Sequence, residues 1–349
     1  MPGIVIVGAG FGGIGMGIAL KKAGYHDFVI LDKAPDLGGT WRDNQYPGCA
    51  CDVPSPLYSY SFELNPDWSR LFAPQQEIWD YLRNCARKYR LDEHIAYGAA
   101  VERMDWDDRA RRWNVETVQD GELRSYRARA VVSAAGALHL PSYPDIPGAG
   151  GFGGPAFHSA RWDRSCELSG QRVAVIGTGA SAIQFVPEVA KHPADVIVYA
   201  TGFKVIESVT SLNVAGRDGR KLAPETLEAY RGVTVAGFPN LFLLLGPNTG
   251  QGHTSAVFMI ESQIQHVLSC LRILAKTGAD TIEVSEAAQR RYNDALQRRL
   301  RRAVWSKGGC DSWYLDATGV NRTLWPGFTF EYWARTRRAC RADYAVTGS

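Results

Sequence analysis

Two glycine-rich turns and one carboxylate carry most of the chemistry open to this sequence. The first turn, Gly8-x-Gly10-x-x-Gly13, sits between the apolar run Ile4 to Val7 and the stretch Ile14 to Ala23, and Asp32 closes the next apolar run. In such a turn Gly8 permits the tight bend, Gly10 lets backbone approach a pyrophosphate, and Gly13 lets helix and strand pack closely. A helix beginning there adds unpaired N–H groups and the positive end of its dipole. Asp32, about 20 residues on, can accept hydrogen bonds from both hydroxyls of an unphosphorylated adenosine ribose. The motif by itself does not separate a flavin from a nicotinamide dinucleotide. A second turn, Gly177-x-Gly179 followed by Ser181 in "GTGASA", repeats the pattern.

Other reactive side chains invite plainer readings. His158 could serve as a general base, but it lies in an interdomain connector, where a hydrogen-bonded structural or hinge histidine is expected. The seven cysteines, odd in number and irregularly spaced, read as free thiols of a reducing cytoplasm. Cys49 and Cys51 stand one residue apart with no second pair at zinc spacing, so no metal is expected. Arg290, Arg291, Arg298, Arg299, Arg301 and Arg302 fall on several faces of one predicted helix, which reads as a solvated surface. A net charge of +3 over 349 residues gives no electrostatic case for nucleic acid or membrane. No apolar run reaches the roughly 18 residues that span a bilayer. The first strand begins four residues in, leaving no room for a cleaved leader, so a cytoplasmic location is expected.

These groups need a frame. Strand, turn, helix and a second strand ending in an acid form an α/β unit of Rossmann type. The stretch from Arg103 alternates as a β-meander with a turn at Asp120-Gly121, followed by a return strand in "AVVSAAG". Pro141 to Gly154, rich in Pro and Gly, is a linker. The length suits about two domains.

Downstream of Asp32, Gly38-Gly39-Thr40-Trp41 resembles the second flavin contact of flavoproteins with two dinucleotide-binding domains. The stretch "FGGPAFHSARWD" then fills a pattern of the class B flavoprotein monooxygenases, particularly the Baeyer–Villiger monooxygenases, at Phe152, Gly154, His158, Trp162 and Asp163. "ATG" at Ala200 to Gly202 resembles the strand that returns to the flavin domain. "GPNTGQGHTSAVFMIESQIQHV" resembles the flavin-facing turn and final helix, and "GGCDSWYLDATGVNRTLWPG" the mobile active-site loop. The resemblance implies FAD along Gly8, Gly10, Gly13 and Asp32, with Gly39, Thr40, Trp41 and Tyr58 against it. It implies NADPH at Gly177, Gly179 and Ser181, and Trp313 where nicotinamide or substrate is met. Asp52 would lie near the reactive edge, where the family's carboxylate holds a catalytic arginine. The implied reaction is NADPH-driven oxygenation of a ketone, amine or sulfide through a C4a-peroxyflavin. Trp162 is expected to anchor the linker by packing.

One departure from the family is large. Between the helix after Gly177 and the "ATG" segment there is room for little else, whereas the family places most of an NADPH domain there. The group that reads the 2′-phosphate and the catalytic arginine both belong to that stretch and are expected to be absent. The expected organisation is a flavin domain over 1–164, a remnant of the NADPH domain over 165–194, and the second part of the flavin domain over 195–349. One strand and one helix are too little to stand alone. Three functions remain open: the oxygenase, a flavin protein without its own reductive half-reaction, and an interaction module using the uncovered domain interface for self-association or a partner.

Overall fold

The computed structural model of the chain describes residues 2–166, 168, 171–190, 196–224, 227–251, 254–307, 314–316 and 318–348. The first apolar run forms β1 (Ile4–Val7) and leads through the glycine turn into α1 (Phe11–Lys22). The helix begins earlier than the expected Ile14 because Gly10, in extended backbone, is its N-cap, so Gly12 and Gly13 lie in its first turn. β2 (Phe28–Leu31) runs parallel to β1, pairing Ile4 with Phe28 and Val7 with Leu31. A short α2 (Thr40–Asp43) and α3 (Gln75–Lys88) follow. α3 buries Ile78, Tyr81, Leu82, Cys85 and Ala86, a helical stripe. β3 (Ile95–Ala96) then lies beside β2.

The expected meander is β4 (Ala99–Asp107), β5 (Arg112–Gln119) and β6 (Glu122–Ala128). Asp120 and Gly121 take φ of 54° and 80°, both positive as a two-residue I′ hairpin turn requires. β7 (Ala130–Ser133) returns to the first sheet and pairs in parallel with β1.

The next part differs from expectation. β8 (Ala156–His158), β9 (Val173–Ile176), α4 (Ala180–Val189) and β10 (Val196–Tyr199) build a separate three-stranded parallel sheet in the order β8-β10-β9. The strand leading into "ATG" is therefore not the one that rejoins the first sheet. It pairs with β9 and with the connector strand β8, so this unit has three strands where one was expected, and the boundaries at 165 and 194 cut through it. Its stability has a visible source: Phe157, Phe185, Val189, Val196 and Val198 pack together with Tyr46, which comes from the first unit. Burial against another part of the chain supplies the apolar area that a lone strand and helix lack.

After α5 (Val205–Thr210), β11 (Val214–Ala215) joins the meander beside β4, and β12 (Leu241–Leu243) rejoins the first sheet. That sheet is parallel throughout, in the order β12-β7-β1-β2-β3. Alternate residues bury opposite faces: Ile4, Ile6 and Ile30 meet the helical layer, whereas Val5, Val7 and Leu31 meet the meander with Trp106 and Trp113. The chain ends with α6 (Ala256–Thr277), β13 (Thr281–Val284), α7 (Glu286–Leu300), α8 (Val304–Lys307), α9 (Thr329–Thr336) and β14 (Tyr344–Thr347), the last antiparallel to β13. Among the described residues no helix is long and apolar enough to cross a membrane, and no three His, Cys, Asp or Glu side chains converge as a metal site.

Candidate functional site

In a parallel sheet the loops at the carboxyl ends of the strands form the natural crevice. Here the residues that follow β1, β2, β7 and β12 line one cavity of about 790 Å³. The glycine turn is its floor. Gly8 has φ of +103°, and a Cβ on it would lie 2.5 Å from the Ala134 carbonyl oxygen. A Cβ on Gly13 would lie 1.8 Å from the Gly8 oxygen. Both positions therefore exclude a side chain, which keeps the turn tight against β7 and α1 against the turn. Gly10 faces Gly39: a Cβ on Gly39 would stand 3.2 Å from the Gly10 Cα, so two bare backbones meet at the cavity edge. The first amides of α1, from Phe11 to Gly13, have no carbonyl inside the helix to bond.

Asp32 is buried at the end of β2. Its Oδ2 accepts from the Ala9 amide at 2.7 Å, and its Oδ1 from the Ala34 amide at 2.9 Å and from Arg42 Nη1 at 3.1 Å. Arg42 also donates to Asp43 and to the Asp36 carbonyl. The carboxylate is thus fixed in orientation and charge-paired, with lone-pair capacity left for a hydroxyl donor. Thr40 and Trp41 bring the start of α2 to the same wall. Trp41 Nε1 donates to the Tyr58 hydroxyl at 3.2 Å, with the rings edge to face at 5.4 Å. Burial pushes the Tyr58 phenol well above its ordinary range, so it stays a neutral donor. Asp52 is solvent-accessible on the cavity wall. Among the described residues no arginine is paired with it.

The opposite wall comes from far along the sequence. Gly246, Pro247, Thr249, Gly250 and Gln251 lead to the start of α6, where Ser255 caps the helix by accepting from the Val257 amide at 3.1 Å. Gly250 donates to the Thr323 carbonyl at 2.8 Å, and this contact brings Arg322, Thr323 and Leu324 into the wall. The Thr323 hydroxyl is buried without a partner among the described residues. Arg322 is held by Asp316 at 2.6 Å and Glu228 at 3.5 Å. The two stretches of this wall, 246–267 and 308–327, were legible only through their resemblance to the family's flavin-facing turn and active-site loop, and sequence reasoning missed Arg42. The signal for Arg42 was a single cation next to Trp41.

The second turn stands apart from this cavity. Gly177 has φ of +116°, and a Cβ there would meet the Ala200 oxygen at 2.3 Å, whereas a Cβ on Gly179 would have nothing within 4 Å. Ser181 lies in the first turn of α4, near the Tyr46 hydroxyl. α4 docks on the first unit through Gln184, which accepts from Tyr46 at 2.8 Å and donates to the Ala50 carbonyl at 2.9 Å. His158 is fully buried. Its Nδ1 accepts from the Ala160 amide at 3.1 Å, which leaves Nε2–H to donate to the Gly202 carbonyl at 3.1 Å. Burial lowers its basicity. Nδ1 thus braces the connector and Nε2 ties it to the "ATG" turn, outside the cavity lining. Trp162 packs edge to face on Phe157 and Phe185. Asp163 accepts from the Ser165 amide and hydroxyl. Phe152 is exposed and Gly154 half-buried in the linker. Trp313 lies outside the described residues.

Residues 5–223 match the family model described as pyridine nucleotide-disulphide oxidoreductase. A Baeyer-Villiger monooxygenase of Pseudomonas aeruginosa is 36% identical over 483 residues, covering 99% of this chain and 91% of the relative. One from Streptomyces coelicolor is 37% identical, covering 98% and 92%. The alignment to the first runs over 483 residues against 349 in this chain, so more than a quarter of it has no counterpart here. Among solved structures, OTEMO in complex with FAD and NADP superposes with a TM-score of 0.89 at 19% identity, covering 99% of both chains. A steroid monooxygenase bound to NADP does so at 0.88 and 22%, with the same coverage. At these identities the structures establish the shared two-dinucleotide-domain fold, and the sequence relatives establish the lineage: the chain belongs to the pyridine nucleotide-disulphide oxidoreductase family and to its Baeyer–Villiger monooxygenases.

Proposed function

We propose that the cavity holds FAD and that the chain is a Baeyer–Villiger-type monooxygenase, using NADPH and O2 on a small apolar ketone, amine or sulfide. The observation that carries the reading is the cavity itself, which joins the bare turn at Gly8–Gly13, the fixed Asp32 carboxylate and the capped start of α6. FAD fits these residues. The volume of about 790 Å³ falls within the roughly 300–1,000 Å³ of cofactor-sized sites. The donors suit its parts: first-turn amides of α1 for the pyrophosphate, Asp32 for ribose hydroxyls, and the unpartnered Thr323 hydroxyl for a polar edge. Bound flavin would supply hydride acceptance and oxygen activation. Trp41 and Tyr58 would wall its ring, and Asp52 would place a carboxylate at the open side. Residues 156–199 would be the nicotinamide-binding side, with Gly177, Gly179 and Ser181 offering backbone amides and a hydroxyl. The relatives' names support the activity, and the cofactors named for the OTEMO complex support both dinucleotides. The reading includes a cytoplasmic setting, in keeping with the free thiols at Cys49, Cys51, Cys85, Cys270 and Cys340.

A second reading, a flavin protein whose reductive half is supplied from elsewhere, is favoured by the shortened small sheet. Among the described residues its edge strand β9 has no strand on its outer side, and Ile183 and Val186 of α4 are 70% and 39% exposed. Anaerobic mixing of flavin-loaded protein with NADPH separates the two. Bleaching of the flavin band within seconds supports the oxygenase; bleaching by dithionite alone supports the second reading. Failure to retain flavin at all would overturn both and leave only an interaction module.

A further inference from the structure

The modest net charge of the chain conceals an uneven distribution. Residues 298–341 hold ten Lys or Arg against three Asp or Glu, a surplus of seven in a chain whose total surplus is three. Within this stretch lies α9, which turns its larger aromatic surface outward. It buries Tyr332 and Thr336 and packs against α6. Its outer face presents Phe330, 65% exposed, and Trp333, 43% exposed, at helical spacing of three. Phe328, 68% exposed, stacks on Phe330 with ring centroids 5.5 Å apart and planes 13° from parallel. The Arg337 guanidinium lies 5.1 Å from the centre of the Trp333 ring. Arg335 is paired with Glu331, and Arg341 reaches the Tyr344 carbonyl. Arg337 and Arg338 are exposed, and neither has a carboxylate partner among the described residues.

Three clustered aromatics beside unpaired guanidinium groups match the chemistry of a membrane–water interface, where aromatic rings sit at headgroup depth and Arg meets lipid phosphate. A second copy fits poorly, because an isologous contact here would set the arginine clusters against one another. α9 rests on α6, away from the small sheet. We propose that α9 with Phe328 and Arg338 docks the protein on an anionic phospholipid surface. The rings enter the headgroup layer, and Arg337 and Arg338 face the phosphates and anionic headgroups. Such docking needs no membrane-spanning helix.

The test is flotation of the full chain with phosphatidylcholine vesicles, with and without phosphatidylserine. Wild-type protein is expected to float with the phosphatidylserine vesicles only, and less as salt rises. The double variant F330S/W333S should stay at the bottom. R337E/R338E should bind at least tenfold more weakly, since each basic residue near an anionic surface is worth roughly fivefold. All these residues lie outside the cavity lining, so flavin content and the far-ultraviolet circular dichroism should be unchanged, which checks folding independently. No flotation of the wild type at low salt overturns the proposal, as does flotation that survives F330S/W333S. A wild-type dimer that F330S/W333S turns into monomer, with no vesicle binding by either, would reassign the patch to self-association and overturn it equally.

Discussion

Substituting Gly13 by alanine puts two known effects in opposition. Gly13 lies in the first turn of α1, and alanine is the better helix former by about 1 kcal/mol. Local propensity therefore predicts a gain. The structure predicts a loss, because the new Cβ would sit 1.8 Å from the Gly8 carbonyl oxygen, where contacts under 3.0 Å essentially do not occur. The obstructing atom is backbone of the turn itself and cannot rotate aside, so helix and turn must separate by more than 1 Å. Overpacking of this kind costs about 1–3 kcal/mol, enough to cancel the propensity gain and reverse the sign. The larger effect falls on flavin binding. A displacement of that size takes the first-turn amides out of hydrogen-bond range of a phosphate. Losing two charge-assisted bonds at about 1.5–3 kcal/mol each raises the dissociation constant by ~100-fold or more. Flavin fluorescence titration of the apoprotein measures this directly, with thermal unfolding alongside. Gly179→Ala is the control, since nothing lies within 4 Å of its Cβ position, and it should leave flavin affinity unchanged. A Gly13→Ala protein that binds FAD like wild type and melts no lower would refute the reasoning.

Three further outcomes follow from other contacts. Asp32→Ala removes the acceptor of the Ala9 and Ala34 amides and the Arg42 partner; flavin affinity should fall at least tenfold, and an unchanged titration would remove Asp32 from the site. Gln184→Ala deletes the bonds to Tyr46 and Ala50 and should cost about 1–3 kcal/mol, seen as faster proteolysis within 156–199 before the rest of the chain. His266 is buried between the Thr336 carbonyl and the Tyr344 hydroxyl, and burial pulls its pKa down to about 3. The unfolded state therefore binds the extra proton, so between pH ~6.5 and about 3 stability falls with falling pH by about 1.4 kcal/mol per unit. Denaturant titrations across that range should show a shallower slope in His266→Gln.

What the sequence determined by itself is the chemistry carried by short-range pattern. Gly8, Gly10, Gly13 and Asp32 span one strand–helix–strand unit, whose hydrogen bonds and packing depend on residues within about 25 positions of one another, so their spacing alone specifies the turn. The Asp120-Gly121 hairpin was legible for the same reason, because backbone conformation at two residues fixes the register. Tertiary structure decided whatever depends on which distant segments meet. Nothing in "VIVYATG" says that β10 pairs with β8 and β9 rather than with β7, because a short apolar run suits either sheet. Gln184 meets Tyr46 across 138 residues, and Gly250 meets Thr323 across 73. Those meetings dock the small sheet and close the far wall of the cavity. Side-chain pattern records only that a face is apolar; which face covers it is settled by the area buried when the whole chain closes.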